Sequence, residues 1–217
     1  MCDIVMGDDI MQKTSLGELI ANAVSHGVGV LLSITALVLM IVKADTTVEL
    51  LACLVFGVSL IILYSASTLF HSFPEKMKRV YAVFQRLDHT SIFFLISGTY
   101  TPFMLLTVQS TKGYILLGVL WFITIVAVVL KAIWVHKYHA LFVVLYVLMG
   151  WSVVFVIGDV INSLQQGIYF LLAGGIFYTI GVIFYVSRFK YHHFVWHIFV
   201  LLGSVSHFLG VYLGILN

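Results

Sequence analysis

Seven long apolar runs occupy most of this 217-residue chain. A membrane-spanning helix needs about 20 consecutive, mostly apolar residues. Runs of about that length lie near residues 19–42, 48–71, 87–108, 113–133, 140–157, 166–187 and 194–216. They are continuous in hydrophobicity rather than alternating, which favours helices over the strands of a barrel. The sequence therefore predicts an all-α membrane protein with seven transmembrane helices.

The composition agrees with a location in a bilayer. The chain is 62% hydrophobic and only 9% charged, and its mean hydropathy is +1.12, whereas a soluble domain is about 25% charged. The connections between the runs are short, so residues 1–217 are predicted to form a single seven-helix transmembrane domain with a short cytoplasmic tail, residues 1–17. The net charge of +2 is too small to indicate nucleic acid as a partner.

The basic residues predict the orientation of these helices. If successive connections alternate between the two sides of the membrane, nine Lys and Arg residues fall on one side: Lys13, Lys76, Lys78, Arg79, Arg86, Lys131, Lys137, Arg188 and Lys190. Only Lys43 and Lys112 fall on the other side. Cytoplasmic connections carry the excess of positive charge, so the N-terminus is predicted to be cytoplasmic and the C-terminus to lie outside.

Four polar residues stand at the ends of apolar runs on this predicted cytoplasmic side. His71 closes the second run, Asp88 opens the third, and His193 and His197 open the seventh. Such side chains are costly within a membrane and are functional candidates by default. Their similar depth makes convergence in space possible.

The spacing of these histidines fits a metal site. His193 and His197 are four residues apart, so on a helix they share one face and can bind the same ion. Ser67 and His71 have the same spacing. Three imidazoles with one open position form the catalytic zinc pattern. The alternative is that such histidines only contact water or lipid headgroups at the interface.

Asp88 has two compatible interpretations. At the start of a helix, an aspartate is favoured both as an N-cap and by the helix dipole. Beside a metal, the same carboxylate would orient or deprotonate a water molecule. The chemistry of the residue alone does not separate the two.

A polar stripe also runs along the first predicted helix at helical spacing and comprises Glu18, Asn22, Ser25 and His26. Because such a stripe cannot face lipid cheaply, it is predicted to face the interior of the bundle or water. A structural hydrogen-bond network is favoured over catalysis for these residues.

Further polar and small residues lie deeper in the membrane. His207 follows His193 by 14 residues, about 21 Å along a helix axis, so it is too deep to share a metal with His193. It could instead line a cavity or bond to a neighbouring helix. Pro102 predicts a kink or close packing with hydroxyls bonding the freed carbonyls, and Gly174, Gly175 and Gly181 predict close-packed helices.

Together these motifs resemble the hemolysin III family, within the larger progestin and adiponectin receptor superfamily. The resemblance covers almost the whole chain and rests on the segments Glu18–Gly27, Ser65–His71, Leu87–Thr90, Gly98–Pro102 and His193–His197. The chain is similar to the compact bacterial members, which implies a multi-pass protein of the cell inner (plasma) membrane with its N-terminus inside.

The resemblance also implies roles for individual residues. His71, His193 and His197 map onto the zinc-binding histidines of the receptor branch, and Asp88 maps onto the aspartate beside the zinc-bound water. Ser67 maps onto the serine one turn before the first histidine. Receptor members are associated with hydrolysis of ceramide-like amide lipids, and bacterial members with membrane-lipid homeostasis.

Three functional hypotheses follow. The leading one is a zinc-dependent hydrolase of a lipid amide or ester, with Asp88 as general base and Ser67 assisting zinc in stabilising the oxyanion. The second is a non-catalytic regulator or sensor of membrane state in which zinc is structural. The third, suggested by the family name, is a cytolytic membrane protein. All three have the bilayer as their environment, and the first has a membrane lipid as substrate.

Overall fold

The structure is a computed structural model. It describes residues 15–134, 138–164 and 166–216, without the side chain of His139, and this part of the chain forms seven membrane-length helices. Those residues contain no strand. The helices long and apolar enough to cross a membrane, here called spans one to seven, are Leu16–Lys43, Thr47–Ser72, Lys78–Val108, Thr111–Ile133, Ala140–Leu164, Gly167–Tyr185 and His192–Gly214. The predicted all-α, seven-helix membrane fold is confirmed. Residues 1–14 of the predicted tail lie outside the described ranges.

Local sequence signals set where the first two spans begin. Ser15 caps span one by accepting a hydrogen bond from the backbone N–H of Glu18, whose carboxylate accepts in return from the Ser15 backbone. Thr46 and Glu49 form the same reciprocal pair at the start of span two. This arrangement satisfies backbone N–H groups that the first helical turn leaves unpaired.

Span three begins earlier than the apolar run indicates. Its first residue is Lys78, preceded by Met77 at the N-cap position, so Asp88 lies ten residues inside the helix and not at its start. The interpretation of Asp88 as a helix cap is therefore wrong. The physical reason is that hydropathy detects only the part of a helix that suits lipid. The polar turns before Asp88 belong to the same helix and extend it toward its N-terminus.

Two spans contain segments that are not regular α-helix. In span three the α-helix ends at Pro102 and a π-helical segment, Phe103–Val108, follows. The hydroxyls of Thr99 and Thr101 donate to the carbonyls four residues before them, at 2.7 and 2.9 Å. The π-helical segment after Pro102 and the close approach at Gly98, where a Cβ would overlap the Ser59 side chain, agree with the predicted kink or close packing. The two hydroxyls do not bond the Gly98 carbonyl, which is the one that Pro102 leaves without its usual partner, so that part of the prediction is wrong. Span five contains a 3₁₀ segment at Ser152–Val156.

The packing of the spans brings span seven against span one. Span one packs on spans two and seven, span two packs on span three, and span six packs on span seven. Gly174 and Gly181 let spans six and seven approach closely, because a Cβ at Gly174 would overlap the ring of His207 and one at Gly181 would lie 2.8 Å from Trp196. The close packing predicted for Gly174 and Gly181 is confirmed, whereas a Cβ at Gly175 would meet only one atom, at 4.0 Å, so that prediction is wrong there. Spans one, two, three and seven thereby surround one end of the bundle.

Candidate metal centre

Three histidines converge at that end of the bundle. His71 comes from the last turn of span two, and His193 and His197 come from the first two turns of span seven. Their candidate ligand nitrogens all lie within 4.8 Å of one another, and they form the group that could hold a metal ion among the described residues. We call these three residues the histidine cluster. It is the same set that the sequence predicts as ligands.

The geometry of the histidine cluster fits a small cation. Nitrogens bound to one zinc ion are roughly 3.4 Å apart, as follows from zinc–nitrogen distances near 2.1 Å, and the candidate nitrogens here lie within 4.8 Å of one another. Nε2 of His71 is buried and has no hydrogen-bond partner among the described residues. A buried polar atom without a partner is costly, and a metal ion on this nitrogen would remove that cost.

Asp88 and Ser67 lie beside the histidine cluster and contact each other. The Ser67 side chain, which is 1% exposed, hydrogen-bonds to the Asp88 carboxylate. Both residues line the same cavity as His193 and His197. The structure thus brings all five predicted site residues to one place, although they come from three separate spans.

Span one contributes a buried polar face next to His197. Asn22, Ser25 and His26 are buried, as predicted for a stripe that faces the interior. The Ser25 hydroxyl lies 3.0 Å from Nδ1 of His197, and the His26 ring stacks on the His197 ring with centroids 3.5 Å apart. Glu18 has a different place: its carboxylate accepts from the Tyr191 backbone N–H at 2.8 Å, just before span seven. The stripe therefore binds span one to span seven.

A cavity extends from the histidine cluster into the middle of the bundle. Its walls are mostly apolar. Asp88 and His193 line it near the cluster, while Phe103 and His207 line it farther along spans three and seven. One end of the cavity is therefore polar, and the remainder suits a hydrocarbon chain.

His207 is separate from the histidine cluster. Its Nε2 lies 3.1 Å from the backbone carbonyl of Leu171 in span six, and because a carbonyl oxygen only accepts, Nε2 must donate. The sequence-based exclusion of His207 from the metal group is confirmed, since that group holds the other three histidines. Both alternatives for His207 are realised, because it lines the cavity and bonds to a neighbouring span.

Three tyrosines of the cavity wall are not among the residues predicted from the sequence. Tyr146 of span five and Tyr178 and Tyr185 of span six all line the cavity. The Tyr146 hydroxyl donates to the His89 carbonyl at 2.9 Å, and the Tyr185 ring lies 6.0 Å from that of His193. The sequence signal available for them was a phenol hydroxyl inside an apolar run, which needs a partner when buried.

The chain is similar to known proteins along nearly its whole length. The family model described as "Haemolysin-III related" matches residues 17–208. The chain is 39% identical to "Hemolysin-3" of Bacillus cereus over 199 residues, which are 89% of this chain and 90% of that protein. It is 39% identical to the "Hemolysin-3 homolog" of Bacillus subtilis (strain 168) over 202 residues, 91% of this chain and 94% of that protein. The human "Monocyte to macrophage differentiation factor" is 24% identical over 205 residues, 92% of this chain and 85% of that protein.

Proposed function

We propose, from the premise that this chain belongs to the haemolysin-III related family of multi-pass membrane proteins, that it is a zinc-dependent hydrolase of a lipid amide or ester bond. The observation that carries the proposal is the position of the histidine cluster at the polar end of an apolar cavity. Three imidazoles leave one coordination position open, as in catalytic rather than structural zinc sites.

The proposed ligands are His71, His193 and His197. When bound, a zinc ion in such a site polarises a carbonyl group and makes water nucleophilic near neutral pH. These residues lie on two helices, spans two and seven. The rings of His71 and His197 contact each other there, with centroids 5.1 Å apart. Ligands held on packed helices suit catalysis, because a preorganised site needs little rearrangement during the reaction.

Asp88 is the proposed general base. As water attacks the carbonyl carbon, one water proton passes to the Asp88 carboxylate, and Asp88 later delivers it to the leaving nitrogen or oxygen as the bond to carbon breaks. Ser67 orients the carboxylate through their hydrogen bond. After Asp88 has taken the proton, the Ser67 hydroxyl becomes available to donate to the developing oxyanion.

The cavity is the proposed site of the acyl chain. Its apolar walls would hold the hydrocarbon and exclude water, while the amide or ester lies beside Asp88 and His193. The proposal keeps the predicted orientation, with the N-terminus cytoplasmic and the reacting bond near the cytoplasmic headgroups of the inner (plasma) membrane. It also treats the chain as a single domain with a role in membrane-lipid homeostasis.

Purified protein tests this proposal through its metal content and its action on long-chain acyl amides and esters. We expect one zinc ion per chain and release of free fatty acid. Asp88→Asn should retain zinc and lower hydrolysis by about 10²–10⁴-fold, the usual contribution of a general base. Protein without stoichiometric zinc would contradict the proposal.

A second carboxylate provides the matched control. Asp159 in span five also accepts from a serine hydroxyl, that of Ser110 at 2.8 Å, but it does not line the cavity. Asp159→Asn should therefore keep both zinc and hydrolysis. If the wild-type protein holds zinc but releases no fatty acid, and Asp88→Asn leaves the cellular phenotype intact, the metal is structural and the regulator hypothesis replaces the hydrolase.

A further inference from the structure

His197, a member of the histidine cluster, contacts span one through its Nδ1 ring nitrogen. Its Nδ1 lies 3.0 Å from the Ser25 hydroxyl oxygen and 3.2 Å from the backbone carbonyl oxygen of Asn22. The Ser25 hydroxyl itself donates to the same Asn22 carbonyl at 2.9 Å. These three atoms form a closed triangle of hydrogen-bonding groups.

All three contacts are hydrogen bonds in only one assignment of protons. A carbonyl oxygen cannot donate, so the Asn22 oxygen accepts from each of its neighbours. The single hydroxyl proton of Ser25 goes to that carbonyl, which leaves only lone pairs on the Ser25 oxygen for His197. Nδ1 of His197 must therefore carry a hydrogen and donate it. A neutral imidazole has one such hydrogen, so Nε2 carries the free lone pair.

His26 restricts the rotation of the same ring. The two imidazoles are nearly parallel, with an interplanar angle of 12° and centroids 3.5 Å apart. A flat ring stacked on this face leaves the imidazole of His197 little room to turn about its side-chain bonds. His26 thus acts on the orientation of His197 and lies outside the group of candidate ligands.

We infer that span one positions His197: Ser25 and the Asn22 carbonyl hold it as the Nδ1–H tautomer, and the stacked His26 ring fixes its rotation, so that Nε2 points toward His71 and His193. The inference rests on the proposed zinc centre. Metal-ligating histidines commonly donate their second N–H to a carbonyl or carboxylate, which fixes the tautomer and makes the ligating nitrogen more basic. Here a serine and a backbone carbonyl from a helix about 170 residues away in sequence perform that role.

Zinc affinity, measured by competition with a chelator, tests the role of Ser25. Ser25→Ala should weaken zinc binding by about 10–100-fold, as loss of such a partner does in other sites. Ser25→Thr, which keeps the hydroxyl, should restore most of the affinity. Ser33→Ala is the matched control, because Ser33 is a buried serine of the same helix whose hydroxyl also donates to a backbone carbonyl, that of Gly29 at 2.7 Å, without contact to a histidine.

The second measurement needs no variant of Ser25 and no metal. In zinc-free protein with ¹⁵N-labelled histidine, the His197 signals, identified by their loss in His197→Gln, should show a protonated Nδ1 and an unprotonated Nε2. The opposite tautomer, or equal zinc affinity in Ser25→Ala and Ser33→Ala, would overturn the inference. Wild-type protein that binds no zinc would instead contradict the proposed function, and the tautomer measurement would still decide the inference.

Discussion

The two ends of the polar face of span seven carry the same side chain and have different chemistry. At one end His193 and His197 meet His71 from span two. About 15 Å farther along the helix, taking ten residues at the usual rise, His207 lies outside that group and donates to a backbone carbonyl of span six. An intramembrane histidine is therefore a candidate ligand only where another helix brings further ligands to it, and its place along its own helix is not sufficient.

One cavity connects the two ends, and its lining changes from one end to the other. Polar side chains of the histidine cluster and Asp88 lie at one end, and Phe103 and Met104 from the irregular turn after Pro102 line the far end together with His207. Because Nε2 of His207 already bonds to span six, a molecule with a polar group and a hydrocarbon chain would place the polar group at the histidine cluster. The two ends are therefore expected to respond differently to substitution.

The largest expected effect separates the two ends by metal content. His71→Ala and His193→Ala should each reduce bound zinc from one ion per chain to background, because two imidazoles cannot form the proposed three-ligand set. His207→Ala should leave zinc content unchanged. Elemental analysis of the purified variants measures this directly, and equal loss of zinc in His207→Ala would remove the distinction between the two ends.

A smaller effect is expected where span six meets His207. Gly174→Ala should destabilise the protein by about 1–3 kcal/mol, the usual cost of overpacking, because the new Cβ would overlap the imidazole ring. Zinc content should stay constant, since the substitution lies at the far end. Thermal unfolding in detergent provides the measurement.

Gly118 offers the matched glycine for this test. A Cβ added there meets no atom within 4 Å, so Gly118→Ala should leave the unfolding temperature unchanged or slightly raised, because alanine favours helix. Equal destabilisation by both substitutions would mean that the contact with His207 does not limit the approach of spans six and seven.

The smallest expected effect concerns the length of the bound chain. Phe103 is buried at the far end of the cavity and lies against His207, with ring centroids 6.2 Å apart. Phe103→Leu should lengthen the available space and shift the preferred fatty acid toward longer chains by a few-fold in affinity, with zinc content unchanged. Binding of a fatty-acid series would show the shift. Val108→Ala, in the same π-helical segment but outside the cavity, should leave the preference as it is.

Much of the candidate site could be predicted from the sequence, because several of its candidate ligands obey local spacing. His193 and His197 share a face through their separation of four residues, and Ser67 lies one turn from His71 for the same reason. The early start of span three could not be predicted from hydropathy, since that property reports contact with lipid and not helix continuity. Asp88 was consequently assigned to a helix end that lies ten residues away.

The partners of span one were also beyond local reasoning. The sequence predicts that Asn22, Ser25 and His26 face the interior, because a polar stripe avoids lipid. It does not predict that they meet His197, since no spacing rule links residues so far apart in the chain. The same holds for Tyr185 near His193, which comes from the neighbouring span six.

The number of spans, their approximate lengths and the residues that share a helix face can be read from the amino-acid sequence. These properties depend on the apolar run that a bilayer requires and on the helical repeat, both of which are local. The contacts of His71 with His193 and His197, the contacts of span one with His197, and the separate position of His207 follow from the folded structure alone. Those outcomes depend on which helices approach closely, and that is set by packing between distant small and large residues such as Gly174 and His207.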